Sequence, residues 1–274
     1  MSNKSHLGPV LGEGSFDAYY FRRCCGRPYG RDPEWLRFFG TIADRIVADI
    51  APRRVLDAGC AFGLLVEALR SRDVEASGID VSPFAIAQAS DSVRPFCRLG
   101  SITEELDGRY DLIVCIEVLE HLSPAEAESA LDNLCRHADD ILFSSSPVDF
   151  KEPTHLNVRP PESWAEQFAR RGFFRDVDFD AGFVTPWAVR FRHPAVPIHR
   201  IVRDYERWYA AMAIERNTLR SELDQSQRQL VEALSQQADS ARLLGQTRDT
   251  IRHMEQSWFW RARGLWVWLQ GLFR

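Results

Sequence analysis

The chain has 274 residues, 45% of them hydrophobic, and a net charge of −5. This hydrophobic content is enough for a buried core, which excludes a chain that is disordered throughout. Residues 199–274 contain 12 Arg and 9 acidic residues, so the preceding part carries the negative charge. A general binder of nucleic-acid phosphates needs a basic face, and we therefore do not expect nucleic acid as a partner. The six cysteines lack a secreted disulfide framework, and the amino terminus has no apolar leader, so we expect a cytoplasmic protein.

Residues 1–198 are predicted to form an α/β domain. Apolar residues at helical spacing predict a first helix that begins at Asp32-Pro33 and is stopped by Pro52. Apolar runs then alternate with helical patterns. The predicted strands are Arg54–Asp57, Ala76–Asp80, Asp111–Ile116, Ile141–Ser145, Phe173–Phe179 and Thr185–Phe191, and the predicted helices are Leu64–Arg70, Pro83–Ala89, Pro124–His137 and Ser163–Arg171. This alternation is typical of a doubly wound, mostly parallel seven-stranded sheet, whose ligand lies beyond the carboxyl ends of its strands.

Residues 199–257 are predicted to form one long helix, because Ile201–Ser257 contains no Pro and a single Gly. Several large side chains recur every seven residues: Leu223, Leu230, Gln237, Leu244, Ile251 and Trp258. This repeat favours a coiled coil that joins copies of the chain into a homo-oligomer. The alternative is a helix that folds back on the α/β domain.

Residues 258–274 form a tail with four Trp, three Arg and no acidic residue. Its apolar run is far too short to span a bilayer. Trp and Arg together suit a membrane interface, which predicts peripheral contact with the inner face of the membrane. The alternative is a hydrophobic end-piece that caps the coiled coil or packs on a partner.

The stretch Val55–Leu69 (VLDAGCAFGLLVEAL) combines a strand, a turn with Gly59 and Gly63, and a helix. Glycines let the backbone approach a ligand closely, and the helix amino terminus offers free N–H groups. The spacing is similar to a dinucleotide-binding turn, but Asp57 replaces the first glycine and would repel a pyrophosphate. Asp80, in GIDVSP at the end of the next strand, is placed to accept hydrogen bonds from ribose hydroxyls.

These motifs, together with YDLIVCIEVLEHL (110–122), resemble the class I S-adenosylmethionine-dependent methyltransferases over about residues 30–195. The resemblance implies S-adenosylmethionine as the cofactor. It implies that the loop Asp57–Gly63 holds the methionine part, that Asp80 holds the ribose, and that Ser101 and Ile102 flank the adenine. The cofactor-binding residues expected on this basis are Asp57, Ala58, Gly59, Cys60, Gly63, Asp80, Val81, Ser101, Ile102 and Glu117. Many relatives have an Asp where Ser101 stands, which implies one weaker adenine contact here.

His121 and His155 are the candidate catalytic residues, because both follow strands at the ligand-binding edge of the sheet. Glu117, Glu120 and His121 would share one face if a helical turn began at Glu117. With His155 they would form a divalent metal site, an arrangement that resembles ubiquinone-pathway O-methyltransferases and small-RNA end methyltransferases. In the alternative interpretation no metal is used, Glu117 lines the cofactor pocket and Glu120 pairs locally.

The segments FDAYYF…CGRPYGRDPEWLRFFGTIAD and PTHLNVRPPESW…RRGF resemble bacterial methyltransferases of cell-surface polysaccharide biosynthesis. This resemblance implies methylation of a sugar hydroxyl on a glycan or lipid-linked saccharide. A small-molecule or RNA-end O-methyltransferase is an alternative. A second alternative is a scaffold that binds the cofactor without turnover and works through its coiled coil.

Overall fold

The computed structural model describes residues 16–272. Residues 1–15, which include the stretch examined for a leader, and residues 273–274 of the predicted tail lie outside the described part. The chain divides into two compact units after Tyr205.

The first unit contains a seven-stranded sheet with the spatial order β3-β2-β1-β4-β5-β7-β6. Strands β1 to β5 are parallel to one another, whereas β7 is antiparallel to both β5 and β6. The strands are β1 (Arg54–Ala58), β2 (Glu75–Asp80), β3 (Cys97–Leu99), β4 (Leu112–Ile116), β5 (Asp140–Ser144), β6 (Phe174–Arg175) and β7 (Val189–Arg192). The doubly wound, mostly parallel seven-stranded sheet predicted from the sequence is therefore confirmed.

The helices of this unit begin where the sequence supplies caps. In α4 the Ser82 hydroxyl accepts a hydrogen bond from the Ala85 N–H, and in α5 Ser123 and Glu126 form a capping box. The helices are α1 (Ala18–Arg23), α2 (Pro33–Asp49), α3 (Leu64–Arg70), α4 (Pro83–Gln88), α5 (Pro124–His137) and α6 (Pro161–Arg170).

The hydrophobic core has two layers, one on each face of the sheet. Successive residues of a strand point to opposite faces, so Val55 packs with α2 and α3 while Leu56 packs towards α5. Both side chains are almost fully buried. Burial on both faces explains why the central strands are continuous apolar runs.

The two closing strands are shorter than the sequence predicts. The predicted strand Thr185–Phe191 loses its first four residues to a turn, which the Ala188 N–H closes on the Thr185 carbonyl oxygen. Pro186 has no N–H to give to a strand ladder. The pair β6–β7 is therefore brief, and the turn carries Thr185 and Trp187 to the ligand-binding edge.

The remaining helices are α7 (Ile198–Gln256), which has 59 residues, and α8 (Trp258–Leu272). The long helix is confirmed. Leu223, Leu230 and Leu244 of the seven-residue repeat are all more than half exposed, and the coiled coil stays a prediction. Among the described helices, none is both long and apolar enough to cross a membrane.

Candidate functional site

The loop after β1 turns sharply because its glycines have left-handed backbone conformations. Gly59 has φ +88° and Gly63, which begins α3, has φ +69°. A Cβ at Gly59 would collide with the Val118 side chain. The N–H groups of Gly59 and Cys60 donate to the Ile79 carbonyl oxygen at 2.8 and 3.1 Å, which fixes the loop against β2.

Two carboxyl groups lie beside this loop, the buried Asp57 in β1 and the partly exposed Asp80 at the end of β2. Asp80 Oδ2 accepts from the Ala61 N–H and Oδ1 from the Ser82 N–H, both at 2.8 Å. Burial, followed by the charge of Asp80, raises the pKa of Asp57 to about 8. Burial also raises the pKa of Asp80, against the lowering effect of its two N–H donors. Such a pair favours a cationic group and hydrogen-bond donors nearby.

A cavity of about 620 Å³ opens at the carboxyl ends of the strands, a size typical of small-molecule sites. Most of the residues predicted from the sequence line it: Asp57, Gly59, Asp80, Val81, Ser101, Ile102, Glu117, His121 and His155. Ala58, Cys60 and Gly63 lie behind this lining, and Cys60 and Gly63 both pack near Cys97. The pKa of the Cys60 thiol lies well above its usual value because of its hydrogen bond to Cys97 and its burial, so it is a packing residue rather than a nucleophile.

Glu117 lines the cavity from a strained position with φ +53°. Its Oε1 accepts hydrogen bonds from the Ser144 hydroxyl and, at 2.9 Å, from Trp187 Nε1. The helical turn that was expected to begin at Glu117 begins only at Leu119, because the left-handed backbone at Glu117 cannot be part of it. Glu117 therefore does not share a helical face with Glu120 and His121.

Glu120, His121 and His155 do come together, with one potential ligand atom from each within 4.8 Å of the others. Glu120 is fully buried and its Oε2 has no hydrogen-bond partner. Its pKa is raised well above the usual value by burial, with a further contribution from Glu117. An orphaned carboxylate oxygen beside two imidazoles is a donor set that fits a divalent cation. Three of the four predicted metal ligands thus converge, and Glu117 lies outside this group.

Both histidines are anchored through Nδ1. His155 Nδ1 is 2.7 Å from the Asp149 carbonyl oxygen, and His121 Nδ1 is 3.0 Å from Thr154 Oγ1. The two rings are 4.7 Å apart between centroids. Burial, followed by the charge of His155, lowers the pKa of His121 to about 4, so His121 is neutral at neutral pH and can accept a proton.

A family model described as a methyltransferase domain matches residues 56–140, the part of the chain that holds the end of β1, all of β2 to β4, and both Asp57 and Asp80. A crystal structure of magnesium protoporphyrin IX methyltransferase from Synechocystis PCC 6803, with bound SAM, has a TM-score of 0.51 and 18% identity and covers 68% of this chain and all of that one. That similarity shows the same fold.

Sequence relatives of the methyltransferase domain include enzymes named ubiquinone biosynthesis O-methyltransferase. The protein from Pseudomonas aeruginosa (strain UCBPP-PA14) is 33% identical over 107 residues, which are 36% of this chain and 46% of that one. The protein from Alkalilimnicola ehrlichii is 35% identical over 102 residues, which are 34% and 41% of the two chains. The match thus spans less than half the length of either relative.

The cavity also has a wall that the sequence did not reveal. Phe16, Tyr20 and Trp35 line the cavity from the amino-terminal side, and Val148 and Trp187 line it from the carboxyl-terminal side. The Tyr20 hydroxyl lies 3.2 Å from His121 Nε2. The available signal was the density of aromatic residues between Phe16 and Tyr29, a segment that has no clear period and so predicts no orientation.

Proposed function

We propose that this chain is an S-adenosylmethionine-dependent O-methyltransferase. The observation that carries the proposal is the pair of carboxyl groups, Asp57 and Asp80, beside the glycine turn and facing the same cavity as His121. One end of the cavity suits a nucleoside with a charged amino acid, and the other end offers a neutral base.

In this proposal the strand ends hold the cofactor. Both oxygens of Asp80 have room for a further hydrogen bond beyond the backbone N–H that each accepts, which suits the two hydroxyls of a ribose. Asp57 would face the ammonium of the methionine part, whose positive charge favours the ionised carboxylate. Ser101 and Ile102 would flank the adenine. When bound, S-adenosylmethionine supplies an electrophilic methyl group.

The residues of the chain then have to orient a hydroxyl and remove its proton. His121 Nε2 is the candidate base, since Nδ1 is engaged by Thr154. His155, with its ring beside that of His121, is placed to hold the acceptor. A hydroxyl has a high pKa, so transfer of its proton as the new bond forms avoids a free alkoxide.

A divalent cation at Glu120, His121 and His155 is a second way to activate the hydroxyl. The supporting observation is the unpartnered, buried Glu120 Oε2 beside two imidazoles. A cation there would lower the pKa of a bound hydroxyl. Turnover that is lost on treatment with a chelator and restored by added Mg²⁺ or Mn²⁺ would support this version, and unchanged turnover would exclude it.

For the acceptor we propose a sugar hydroxyl of a glycan or lipid-linked saccharide. The support is the sequence resemblance to methyltransferases of polysaccharide assembly and a tail suited to a lipid surface. A small-molecule hydroxyl is the second candidate, favoured by the names of the ubiquinone-pathway relatives and by the aromatic cavity wall. Transfer of labelled methyl groups to lipid-linked saccharide extracts and to a panel of phenols separates the two. An RNA 3′ end belongs in the same panel as a third acceptor.

We propose that the second unit recruits partners rather than substrate. The exposed repeat of α7 would form a coiled coil with another copy. In α8 Trp258, Trp266 and Trp268 are exposed, and Arg263 stacks on Trp260 at 4.9 Å, a composition suited to an anionic membrane surface. Deletion of residues 258–274 should abolish sedimentation with vesicles that contain phosphatidylglycerol while leaving methyl transfer to a soluble acceptor intact. Unchanged sedimentation would assign the tail to a protein contact.

The first test is calorimetric titration of the full chain with S-adenosylmethionine and S-adenosylhomocysteine. We expect micromolar binding of both. Absence of binding by the folded protein would refute the enzymatic proposal and favour a scaffold that works through the long helix.

A further inference from the structure

The loop between β5 and α6 is hydrogen-bonded directly to the helical turn Leu119–His121. The N–H groups of Leu156 and Asn157 both donate to the Glu120 carbonyl oxygen, at 2.8 and 2.9 Å. Two polar residues of this loop, Glu152 and Thr154, are not among the site residues predicted from the sequence. They nevertheless form a chain of hydrogen bonds that ends at the His121 ring.

The direction of these hydrogen bonds follows from the donors available. Thr154 Oγ1 lies 2.8 Å from Glu152 Oε1, and a carboxylate can only accept, so the single hydrogen of the Thr154 hydroxyl points to Glu152. Towards His121 Nδ1, Thr154 therefore offers only acceptors, Oγ1 at 3.0 Å and its carbonyl oxygen at 3.3 Å. Two acceptors facing one ring nitrogen require that nitrogen to carry the hydrogen.

A neutral imidazole carries one ring hydrogen, so hydrogen on Nδ1 leaves a lone pair on Nε2. The Tyr20 hydroxyl lies 3.2 Å from Nε2 and can donate to that lone pair. Tyr20 lines the cavity. An acceptor hydroxyl that is to lose its proton to Nε2 must take the place of the Tyr20 hydroxyl.

We propose that Glu152 and Thr154 are positioning residues that hold His121 as the tautomer with hydrogen on Nδ1, and that Tyr20 occupies the Nε2 lone pair until the acceptor hydroxyl displaces it. The effect on turnover rests on the proposed methyl transfer, whereas the tautomer does not. The same tautomer serves a metal ligand, because a histidine that binds a cation through one nitrogen donates its other N–H to an oxygen.

The tautomer is measured directly by two-bond ¹H–¹⁵N correlation spectra of the full chain labelled with ¹⁵N-histidine. The His121 signals are assigned by their loss in His121→Gln. We expect the wild-type ring to show hydrogen on Nδ1. Thr154→Val removes one acceptor and the link to Glu152, so it should shift His121 towards the Nε2–H form, whereas Thr154→Ser should restore the wild-type pattern.

Turnover provides the second readout. Thr154→Val should lower kcat about tenfold or more, with the Kd of S-adenosylhomocysteine unchanged, and Thr154→Ser should recover most of the loss. Thr41→Val is the matched control, because the Thr41 hydroxyl donates to the Arg37 carbonyl oxygen within α2. Tyr20→Phe should lower KM for the acceptor, since the lone pair is then open.

Hydrogen on Nε2 in the wild-type protein would overturn the proposal. Equal spectra and equal kcat for the valine and serine variants would also overturn it, and an unchanged or raised KM in Tyr20→Phe would show that Tyr20 does not compete with the acceptor hydroxyl. If the spectra show hydrogen on Nδ1 and respond to Thr154→Val while no methyl donor binds, the positioning role stands and the proposed function fails.

Discussion

Replacement of Asp80 by Asn should weaken binding of S-adenosylmethionine and S-adenosylhomocysteine without unfolding the protein. Each oxygen of the Asp80 carboxylate already accepts one backbone N–H at 2.8 Å, and each can accept one more. The amide replaces one of these acceptors by a donor and removes the charge from the other. One hydrogen bond to a charged group contributes about 1.5–3 kcal/mol.

Loss of one ribose hydrogen bond and weakening of the other therefore costs about 2–4 kcal/mol of binding free energy. This corresponds to an increase in Kd of roughly 30- to 1,000-fold. The variant also leaves the N–H of Ala61 or Ser82 facing an amide hydrogen. That mismatch costs about 1–3 kcal/mol of folding stability, which a binding assay has to separate from the loss of ribose contacts.

Asp111→Asn is the matched control. Asp111 Oδ2 also accepts two backbone N–H groups, from Arg53 and Arg54 at 2.9 and 3.0 Å. These residues lie at the amino-terminal ends of β1 and β4, away from the cavity. Because one oxygen of Asp111 accepts both N–H groups, the amide oxygen of Asn can accept both as well. The control should therefore lose little stability and keep wild-type affinity.

The assay is calorimetric titration with S-adenosylhomocysteine at a temperature well below the melting transition of all three proteins, which circular dichroism establishes. Wild-type affinity in Asp80→Asn would refute the ribose assignment. An equal loss of affinity in Asp111→Asn would show that the effect reflects global stability and not a contact.

Three further predictions concern single side chains. The folded-state pKa of Asp57 is raised to about 8, so the wild-type fold loses stability as pH rises from about 4 to 8. The difference in stability between Asp57→Asn and the wild type, measured by urea denaturation, should therefore grow by a few kcal/mol between pH 5 and pH 8 in favour of the variant. A difference that stays constant with pH would contradict this. Asn133 donates to the Ile102 and Glu104 carbonyl oxygens at 3.0 and 2.7 Å. Asn133→Ala should therefore lower stability by about 1–3 kcal/mol and weaken cofactor binding. Unchanged values for both would show that the loop containing Ser101 and Ile102 does not depend on Asn133. If a cation binds at Glu120, then Mn²⁺ should raise the Tm of the wild-type protein and not of Glu120→Gln, and equal shifts would place the ion elsewhere.

The sequence predicted the parts of the site that depend on strand ends. Asp57, Asp80, His121 and His155 follow parallel strands or lie at their ends, and parallel strands bring their carboxyl ends to one edge. Convergence at the cavity was therefore predictable without side-chain detail.

The position of Glu117 was not predictable in this way. The spacing of Glu117 and His121 fits a helical turn, but the left-handed backbone at Glu117 delays the turn to Leu119. Such a conformation is uncommon for a residue with a side chain, and no local pattern indicates it. The contact of Tyr20 with His121 could not be predicted for a different reason. It joins residues that are 101 positions apart, and Tyr20 lies in a segment without periodicity.

The cavity is lined by residues from inside and from outside the range that the family model matches. Its floor comes from strand ends inside residues 56–140, where the family model matches, whereas Phe16, Tyr20, Val148 and Trp187 come from outside that range. The two sets of residues can therefore be varied separately. A library that varies only these four outer residues would change which acceptor fits, whereas the pocket for the methyl donor would keep its residues. Natural relatives can diverge by the same route, and an outer wall exchanged as a block between relatives should carry acceptor preference with it.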